Sequence, residues 1–167
     1  MNSTKNGFTL IEMIIVITII AVLATGSLAT FRTVALNSRD QQRIRDLQSI
    51  KQALELYRND LHFYPADTAF NPNSASQLSY NSKIYLVLPS DPSGQSSGQK
   101  YGYRALPPSC DNTVSYCTSY VLCSAKEGNV SYGQGSVKVW DCSSLLPAGA
   151  NAVQCGSKAC QMGIQSD

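Results

Sequence analysis

Glu12 stands out for its chemistry, because it is the only charged side chain in the apolar run from Leu10 to Leu28. As an α-helix these residues would rise roughly 28 Å, which matches a bilayer hydrocarbon core of about 30 Å. A carboxylate at the centre of a membrane helix is unfavourable by roughly 2.5–3.5 kcal/mol on insertion scales, and by less near the interface. Glu12 therefore requires a cationic partner or a functional role.

Three interpretations of this N-terminal segment compete. A secretory signal peptide is suggested by the small residues around Ser27-Leu28-Ala29, but the apolar run is longer than the usual 7–15 residues. A plain single-span anchor explains the length and leaves Glu12 without a role. Cleavage just before Phe8 would create an α-amine four residues from Glu12. The two charges could then pair within one helix, or between two staggered copies of it.

Six cysteines, all after residue 109, are the second chemical feature. An even number confined to one half of the chain predicts disulfides and an oxidising compartment. Six cysteines allow 15 pairings, among which nearest-neighbour reasoning favours three local bridges. These are Cys110–Cys117, Cys123–Cys142 and Cys155–Cys160. A head domain with a small core would depend on such bridges for its stability.

A long helix must position the N-terminal segment. Six apolar residues recur at spacings of three or four and form one stripe: Ile44, Leu47, Ile50, Leu54, Tyr57 and Leu61. Six charged residues lie largely outside the stripe: Asp40, Arg43, Asp46, Lys51, Glu55 and Arg58. No proline precedes Pro65, so we expect one helix from about Phe8 to about His62, ended by Tyr64-Pro65.

The rest of the chain predicts a small sheet. Residues 67–99 have loop composition, except for the apolar island Ile84–Leu88, which fits a strand or a short helix. Strands are expected at Tyr101–Leu106, Ser119–Ser124 and Val137–Cys142. We expect an antiparallel meander packed on the helix stripe, followed by a small polar tail held mainly by its two cysteines. The predicted fold is therefore α+β, with disulfide-tied loops in the head.

No catalytic, metal or cofactor site is expected. His62 is the only histidine, and its place near the helix end favours an exposed or capping role. Three head carboxylates that could bind calcium, Asp111, Glu127 and Asp141, lack the dense spacing of a calcium loop. The net charge is only +2, and the head from Lys83 onward has six basic and five acidic residues. Nucleic acid is therefore not an expected partner.

The sequence Gly7-Phe8-Thr9-Leu10-Ile11-Glu12 resembles the processing motif of type IV prepilins and type II secretion pseudopilins. The resemblance implies that a membrane prepilin peptidase cuts between Gly7 and Phe8 and methylates the new N terminus at Phe8. It implies that Glu12 pairs with the N-terminal amine of a neighbouring subunit. Many members also have a glycine and a proline inside the apolar helix, whereas Gly26 is the only such residue here.

The resemblance also implies an organisation and a location. We expect a leader at 1–7, a membrane and filament-core helix at 8–30, an amphipathic helix at 31–62 and a β-rich head at 63–167. The implied partners are related subunits in a helical filament, the prepilin peptidase, an inner-membrane assembly platform and the membrane itself. The precursor would lie in the inner or cytoplasmic membrane, and the assembled filament would be extracellular at the cell surface.

Two classes of function remain open at this point. In the first, the chain is a structural filament subunit, and the cysteine-rich head favours a type IV pilin over a secretion pseudopilin, because a long exposed fibre gains more from covalent ties. In the second, the chain is a monomeric membrane-anchored or secreted binding domain. An exported chain that starts at Phe8 indicates the first class, whereas a start at Thr30 indicates a secreted domain.

Overall fold

The computed structural model describes residues 7–72, 76–93, 101–129, 139–147, 153–155 and 158–166. The chain divides into two compact units, one that ends at Leu36 and one that begins at Asn37. Most of the expected leader, at residues 1–6, lies outside the described residues, as do Val137 and Lys138 of the third expected strand.

One long helix, α1, runs from Leu10 to Leu61, close to the expected limits. The next residue, His62, adopts a left-handed conformation with φ of 67° and donates its backbone N–H to the Arg58 carbonyl at 2.7 Å. Such a left-handed residue after the last helical turn is a common way to end a helix. His62 is exposed and closes the helix, as its position in the sequence suggests.

The apolar stripe on the second half of α1 forms the centre of the head. Leu47, Ile50, Leu54 and Tyr57 are buried, and the two ends of the stripe are partly buried against the same core. The predicted stripe is therefore confirmed.

The other elements are short. They are β1 (Gln77–Tyr80), β2 (Lys83–Val87), β3 (Tyr101–Leu106), β4 (Ser119–Ser124), β5 (Trp140–Asp141), α2 (Cys142–Leu145), β6 (Gln154–Cys155), β7 (Lys158–Ala159) and β8 (Met162–Gln165). The apolar island is thus strand β2, and it pairs with β1, which lies in a stretch that the sequence assigned to loop. Asn81 and Ser82 join the two strands, both with positive φ, as a two-residue hairpin turn requires.

The main sheet is antiparallel with strand order β3-β4-β8-β5. The predicted limits of β3 and β4 are confirmed. The predicted meander is wrong in its order, because the C-terminal strand β8 lies between β4 and β5. The tail reads as small and polar, yet Met162 and Ile164 alternate with Gly163 and reach the buried core.

The third expected strand is shorter than predicted. Only Trp140 and Asp141 form strand β5, and Cys142 is the first residue of α2. Asp141 accepts a hydrogen bond from the Ser143 backbone N–H and caps this short helix. The cap turns the chain away from the sheet, which ends the strand at Asp141.

The main sheet has two buried faces. One face packs on α1 and includes the aligned residues Tyr103, Leu122 and Ile164. The opposite face carries a second core, made of Val121, Cys123, Ala125, Cys142, Val153 and Cys155. A sheet covered on both sides explains why four of the six cysteines, with Cys160 beside this second core, lie on the face away from the helix.

All six cysteines are paired, in the three local bridges favoured by their spacing. One detail differs from the expectation. Cys123 and Cys142 were expected to end adjacent strands, but β8 lies between β4 and β5. The bridge therefore passes over Gly163 of β8, where an added Cβ would lie 2.9 Å from the Cys123 Sγ.

Reduction is expected to weaken the head strongly. Each bridge contributes roughly 2–4 kcal/mol in the loop-entropy description, so reducing all three should lower the melting temperature by more than about 10 °C. The measurement is thermal unfolding of the exported full chain in detergent, with and without reductant. Thiol titration of the unfolded, unreduced chain provides the check, since six titratable thiols would contradict the pairing.

Candidate processing and assembly site

Thr9 stabilises the N-terminal end of α1. The backbone N–H of Glu12 donates to the Thr9 Oγ1 at 3.3 Å, and the N–H of Met13 donates to the Thr9 carbonyl at 3.3 Å. Thr9 is therefore the N-cap, and Thr9 and Glu12 have the Thr-x-x-Glu spacing of a capping box. Sequence reasoning considered Glu12 as a charge in the apolar run and as an assembly partner but not as part of a helix cap, although this spacing was the available signal for the cap.

Glu12 occupies the first turn of α1. Helix N-termini carry a partial positive charge from unpaired N–H groups, so a carboxylate is more favourable here than further along the helix. The Glu12 side chain is exposed and accepts no hydrogen bond from a described residue. The carboxylate oxygens thus remain available to a cation from outside the chain.

The first part of α1 presents an exposed and mostly apolar surface. Every described side chain from Phe8 to Thr25 is exposed, including Phe8 at 80 %. The hydroxyls of Thr18 and Thr25 donate to helix carbonyls of Ile15 and Val22 at 2.7 and 2.8 Å, so their hydrogen-bonding needs are met within the helix.

A surface of this composition needs lipid or another apolar helix around it. Judged by length and hydropathy, no single helix among the described residues qualifies as a membrane span, although Leu10–Thr25 and Thr30–Leu61 qualify together as a bent pair.

Gly7 is not required by packing. A Cβ added at this position would meet nothing within 4 Å. The glycine therefore serves no close approach to any described residue.

Comparison with known proteins decides the family. Residues 2–28 match the family model described as the prokaryotic N-terminal methylation motif. The chain is 31% identical over 101 residues to the type II secretion system core protein G of Escherichia coli (strain K12), across 54% of this chain and 68% of that protein. The chain belongs to the type IV pilin and pseudopilin family. No solved structure matches the chain.

In this pilin-like chain the head carries a buried charge cluster that sequence reasoning missed. Arg43 is fully buried and forms ion pairs with three carboxylates, at 2.8 Å to Asp40, 2.8 Å to Asp91 and 3.1 Å to Glu127. Ser93 accepts a further hydrogen bond from the same guanidinium at 2.5 Å. We call these five residues the Arg43 cluster. It joins α1 to the loops that follow β2 and β4.

The cluster is arranged so that its charges are retained. Burial alone would lower the pKa of Arg43, but hydrogen bonds and charge attraction from Asp91 and Glu127 raise it. Burial would raise the pKa of Glu127, but hydrogen bonds from Ser93 and Arg43 outweigh it and hold the pKa at about 2. Asp40 also accepts the backbone N–H of Gly128 at 2.6 Å. The Arg43 guanidinium and the Glu127 carboxylate therefore remain charged at neutral pH.

The approach of the loop after β4 to α1 requires a glycine. A Cβ at Gly128 would lie 2.3 Å from the Asn37 Oδ1. Without a side chain, the backbone can bring the N–H groups of Gly128 and Asn129 to Asp40 and Asn37. This contact fixes the beginning of the head part of α1.

Further acidic residues of α1 bind tyrosines of the head. Asp46 accepts from the Tyr101 hydroxyl at 2.5 Å, and Glu55 accepts from the hydroxyls of Tyr64 and Tyr120 at 2.9 and 3.1 Å. Near the helix end, Asp60 pairs with Lys83 and accepts from the Tyr85 hydroxyl at 3.0 Å. Together with the Arg43 cluster, these contacts set the register between α1 and the head.

Each of the three carboxylates considered for calcium has its own structural partners. Asp111 accepts backbone N–H groups of Thr113, Val114 and Ser115 within its own loop, and these hydrogen bonds lower its pKa. Glu127 belongs to the Arg43 cluster, and Asp141 caps α2. In the described part of the chain, potential metal-ligand atoms converge at one place, the sulfurs of Cys123, Cys142 and Cys160.

Proposed function

We propose that this protein is a structural subunit of a type IV pilus-like filament that polymerises through its N-terminal helix. The observation that carries the proposal is Glu12, an exposed first-turn carboxylate on a helix whose described side chains from Phe8 to Thr25 are also exposed. Filament assembly would surround this segment with an apolar bundle and bring a cation to Glu12.

The proposed chemistry begins with cleavage of the peptide bond between Gly7 and Phe8. The released α-amine of Phe8 has an ordinary pKa of about 7.7–8.0, so it is largely protonated at neutral pH, and N-methylation leaves it cationic. Pairing with Glu12 of a neighbouring subunit would neutralise both charges in a low-dielectric bundle. Because one axial stagger brings the charges together, the pair would also select the register between subunits.

This function assigns a role to each part of the chain. Residues 1–7 would be the leader, 8–30 the membrane and filament-core helix, 31–62 the amphipathic helix and 63–167 the head. The precursor would lie in the inner or cytoplasmic membrane, where a prepilin peptidase would cleave it and an assembly platform would add it to the filament. The mature filament would extend from the cell surface.

A type II secretion pseudopilin is the second candidate, and the identity to the core protein G of Escherichia coli supports it. Three disulfides in one small head favour a long exposed fibre instead. Surface filaments sheared from cells distinguish the two. A pilus subunit would be present in them as a chain that begins at Phe8, whereas a pseudopilin would be absent from them and its deletion would block protein secretion.

Processing is tested at Gly7. Gly7→Trp should leave the full-length precursor in the membrane, because a bulky side chain at the cleavage position would block a protease cleft, whereas an added Cβ at Gly7 would meet no described atom of the chain within 4 Å. The measurement is the mass of the membrane-extracted chain. Gly7→Ala is the matched control, and we expect it to be shortened normally. Shortening of the Trp variant by seven residues would contradict the proposed processing.

A further inference from the structure

Two disulfides in the head lie close together. The Sγ atoms of Cys123, Cys142 and Cys160 all lie within 4.8 Å of one another. Cys123 and Cys142 are bonded to each other, whereas Cys160 is bonded to Cys155. A sulfur of one bridge is thus close to both sulfurs of the other. We call the four residues the sulfur cluster.

Backbone hydrogen bonds hold the sulfur cluster in place. Cys142 donates its N–H to the Gln161 carbonyl at 3.2 Å, and Gln161 donates its own to the Ser124 carbonyl at 3.0 Å. Cys160 donates to the Val153 carbonyl at 3.2 Å. These hydrogen bonds therefore link Cys142 to Gln161, which follows Cys160 in the chain, and link Gln161 in turn to β4.

Glycines make room for this contact. Cys123 is aligned with Gly102 on β3 and with Gly163 on β8. A Cβ at Gly102 would lie 2.8 Å from the Cys160 Sγ, and a Cβ at Gly163 would lie 2.9 Å from the Cys123 Sγ. Any larger residue at these positions would require the sulfurs to move. The glycines on both neighbouring strands therefore permit the two bridges to approach each other.

The sulfur cluster has one entry point. Cys123, Cys142 and Cys155 are 0, 1 and 0 % exposed, whereas Cys160 is partly exposed. Thiol–disulfide exchange requires direct access of a thiolate to a sulfur. An external thiol can therefore reach the cluster at Cys160 more readily than at its three buried members.

We propose that Cys160 is a thiol–disulfide exchange site that connects the two bridges and is attacked by a dithiol oxidoreductase. The oxidoreductase thiolate attacks the Cys160 Sγ, forms a mixed disulfide and releases the Cys155 thiolate, which takes up a proton. The second thiol of the enzyme resolves the mixed disulfide, so the enzyme is oxidised to a disulfide and Cys160 leaves as a thiolate.

The Cys160 thiolate then attacks the neighbouring bridge. A new bond forms from Cys160 to Cys123 or Cys142, the Cys123–Cys142 bond breaks, and the displaced sulfur leaves as a thiolate. This second step involves no net oxidation or reduction. The reverse of this step lets wrongly paired sulfurs on this face of the sheet return to the native pairing, and neither direction depends on whether the chain forms a filament.

Two single substitutions test the proposal in the full chain, exported to an oxidising compartment and purified in detergent. Cys155→Ala leaves Cys160 as a free thiol beside the Cys123–Cys142 bridge. At pH 8, we expect at least about one molecule in ten to contain a Cys160 bridge to Cys123 or Cys142, detected by alkylation and peptide mass spectrometry. Cys160→Ala is the matched control, and we expect it to retain only the Cys123–Cys142 bridge.

The pH dependence provides a second signature. Because the thiolate is the nucleophile, the exchange in Cys155→Ala should accelerate about tenfold per pH unit below the ordinary thiol pKa of about 8.5. The proposal is overturned if Cys155→Ala retains only Cys123–Cys142 with the label on Cys160, or if Cys160→Ala rearranges equally.

If the two variants do not accumulate, partial reduction of the wild-type protein provides the test. Limiting dithiothreitol followed by rapid alkylation should trap chains with labelled Cys155 and a bridge from Cys160 to Cys123 or Cys142. Partly reduced chains that contain native bridges only would overturn the proposal.

Discussion

Glu12→Gln should abolish filament formation while the chain is still cleaved and inserted into the membrane. The substitution keeps the size of the side chain and removes its charge. Gly7 and the leader are unchanged, so processing should proceed. In the proposed filament, the amine of Phe8 would have no anion, and removing one partner of a buried pair costs roughly 3–5 kcal/mol. Each subunit contact would weaken by more than about a hundredfold.

The measurement compares processing and filament yield in the same cells. Thr18→Val is the matched control, because the Thr18 hydroxyl already donates to the Ile15 carbonyl and has no need of a partner in the filament. We expect normal yield from the control. Wild-type yield from Glu12→Gln would show that Glu12 is not the assembly partner, and uncleaved Glu12→Gln would show that it acts earlier, in processing.

Local patterns account for what the sequence predicts well. The stripe from Ile44 to Leu61 is a repeat within one helix, and its four central residues are buried. The limits of β3 and β4 follow from β-branched and aromatic residues between turn signals. Three short disulfide loops agree with the structure because residues that are close in sequence meet often, whatever the strand order.

The structural features that the sequence does not predict depend on contacts between segments far apart in the chain. Strand β8 has only four residues, and its place beside β4 depends on pairing across 38 residues or more, which no local pattern signals. Arg43 lies outside the apolar stripe and reads as a solvated residue. Its partners Asp91 and Glu127 lie 48 and 84 residues further along the chain. A charge at such a position gives no sign that it will be buried.

Arg43→Met should destabilise the head more than any other single charge removal on α1. The substitution leaves the carboxylates of Asp40 and Asp91 buried without their counterion, at a cost of roughly 3–5 kcal/mol at pH 7. Urea unfolding of the full chain in detergent, followed by the fluorescence of the only tryptophan, Trp140, measures the loss. Arg39→Met is the control, because Arg39 is 46% exposed and pairs with Glu127 at 3.3 Å. Its loss should stay below about 1 kcal/mol.

The pH dependence separates lost charge pairing from lost packing. Burial by itself would raise the pKa of Glu127. Hydrogen bonds from Ser93 and Arg43 have the larger effect and lower this pKa from an ordinary 4.5 to about 2. A lowered pKa stabilises the fold fully above the ordinary value and loses that effect as the pH falls towards 2. Wild type should therefore lose this contribution between pH 4.5 and 2. Arg43→Met should lose less over this range, because its Glu127 no longer has the Arg43 contacts that lower the pKa of that carboxyl. The difference between the two proteins should narrow from pH 7 to pH 3, whereas a constant difference would mean that Arg43 acts through packing alone.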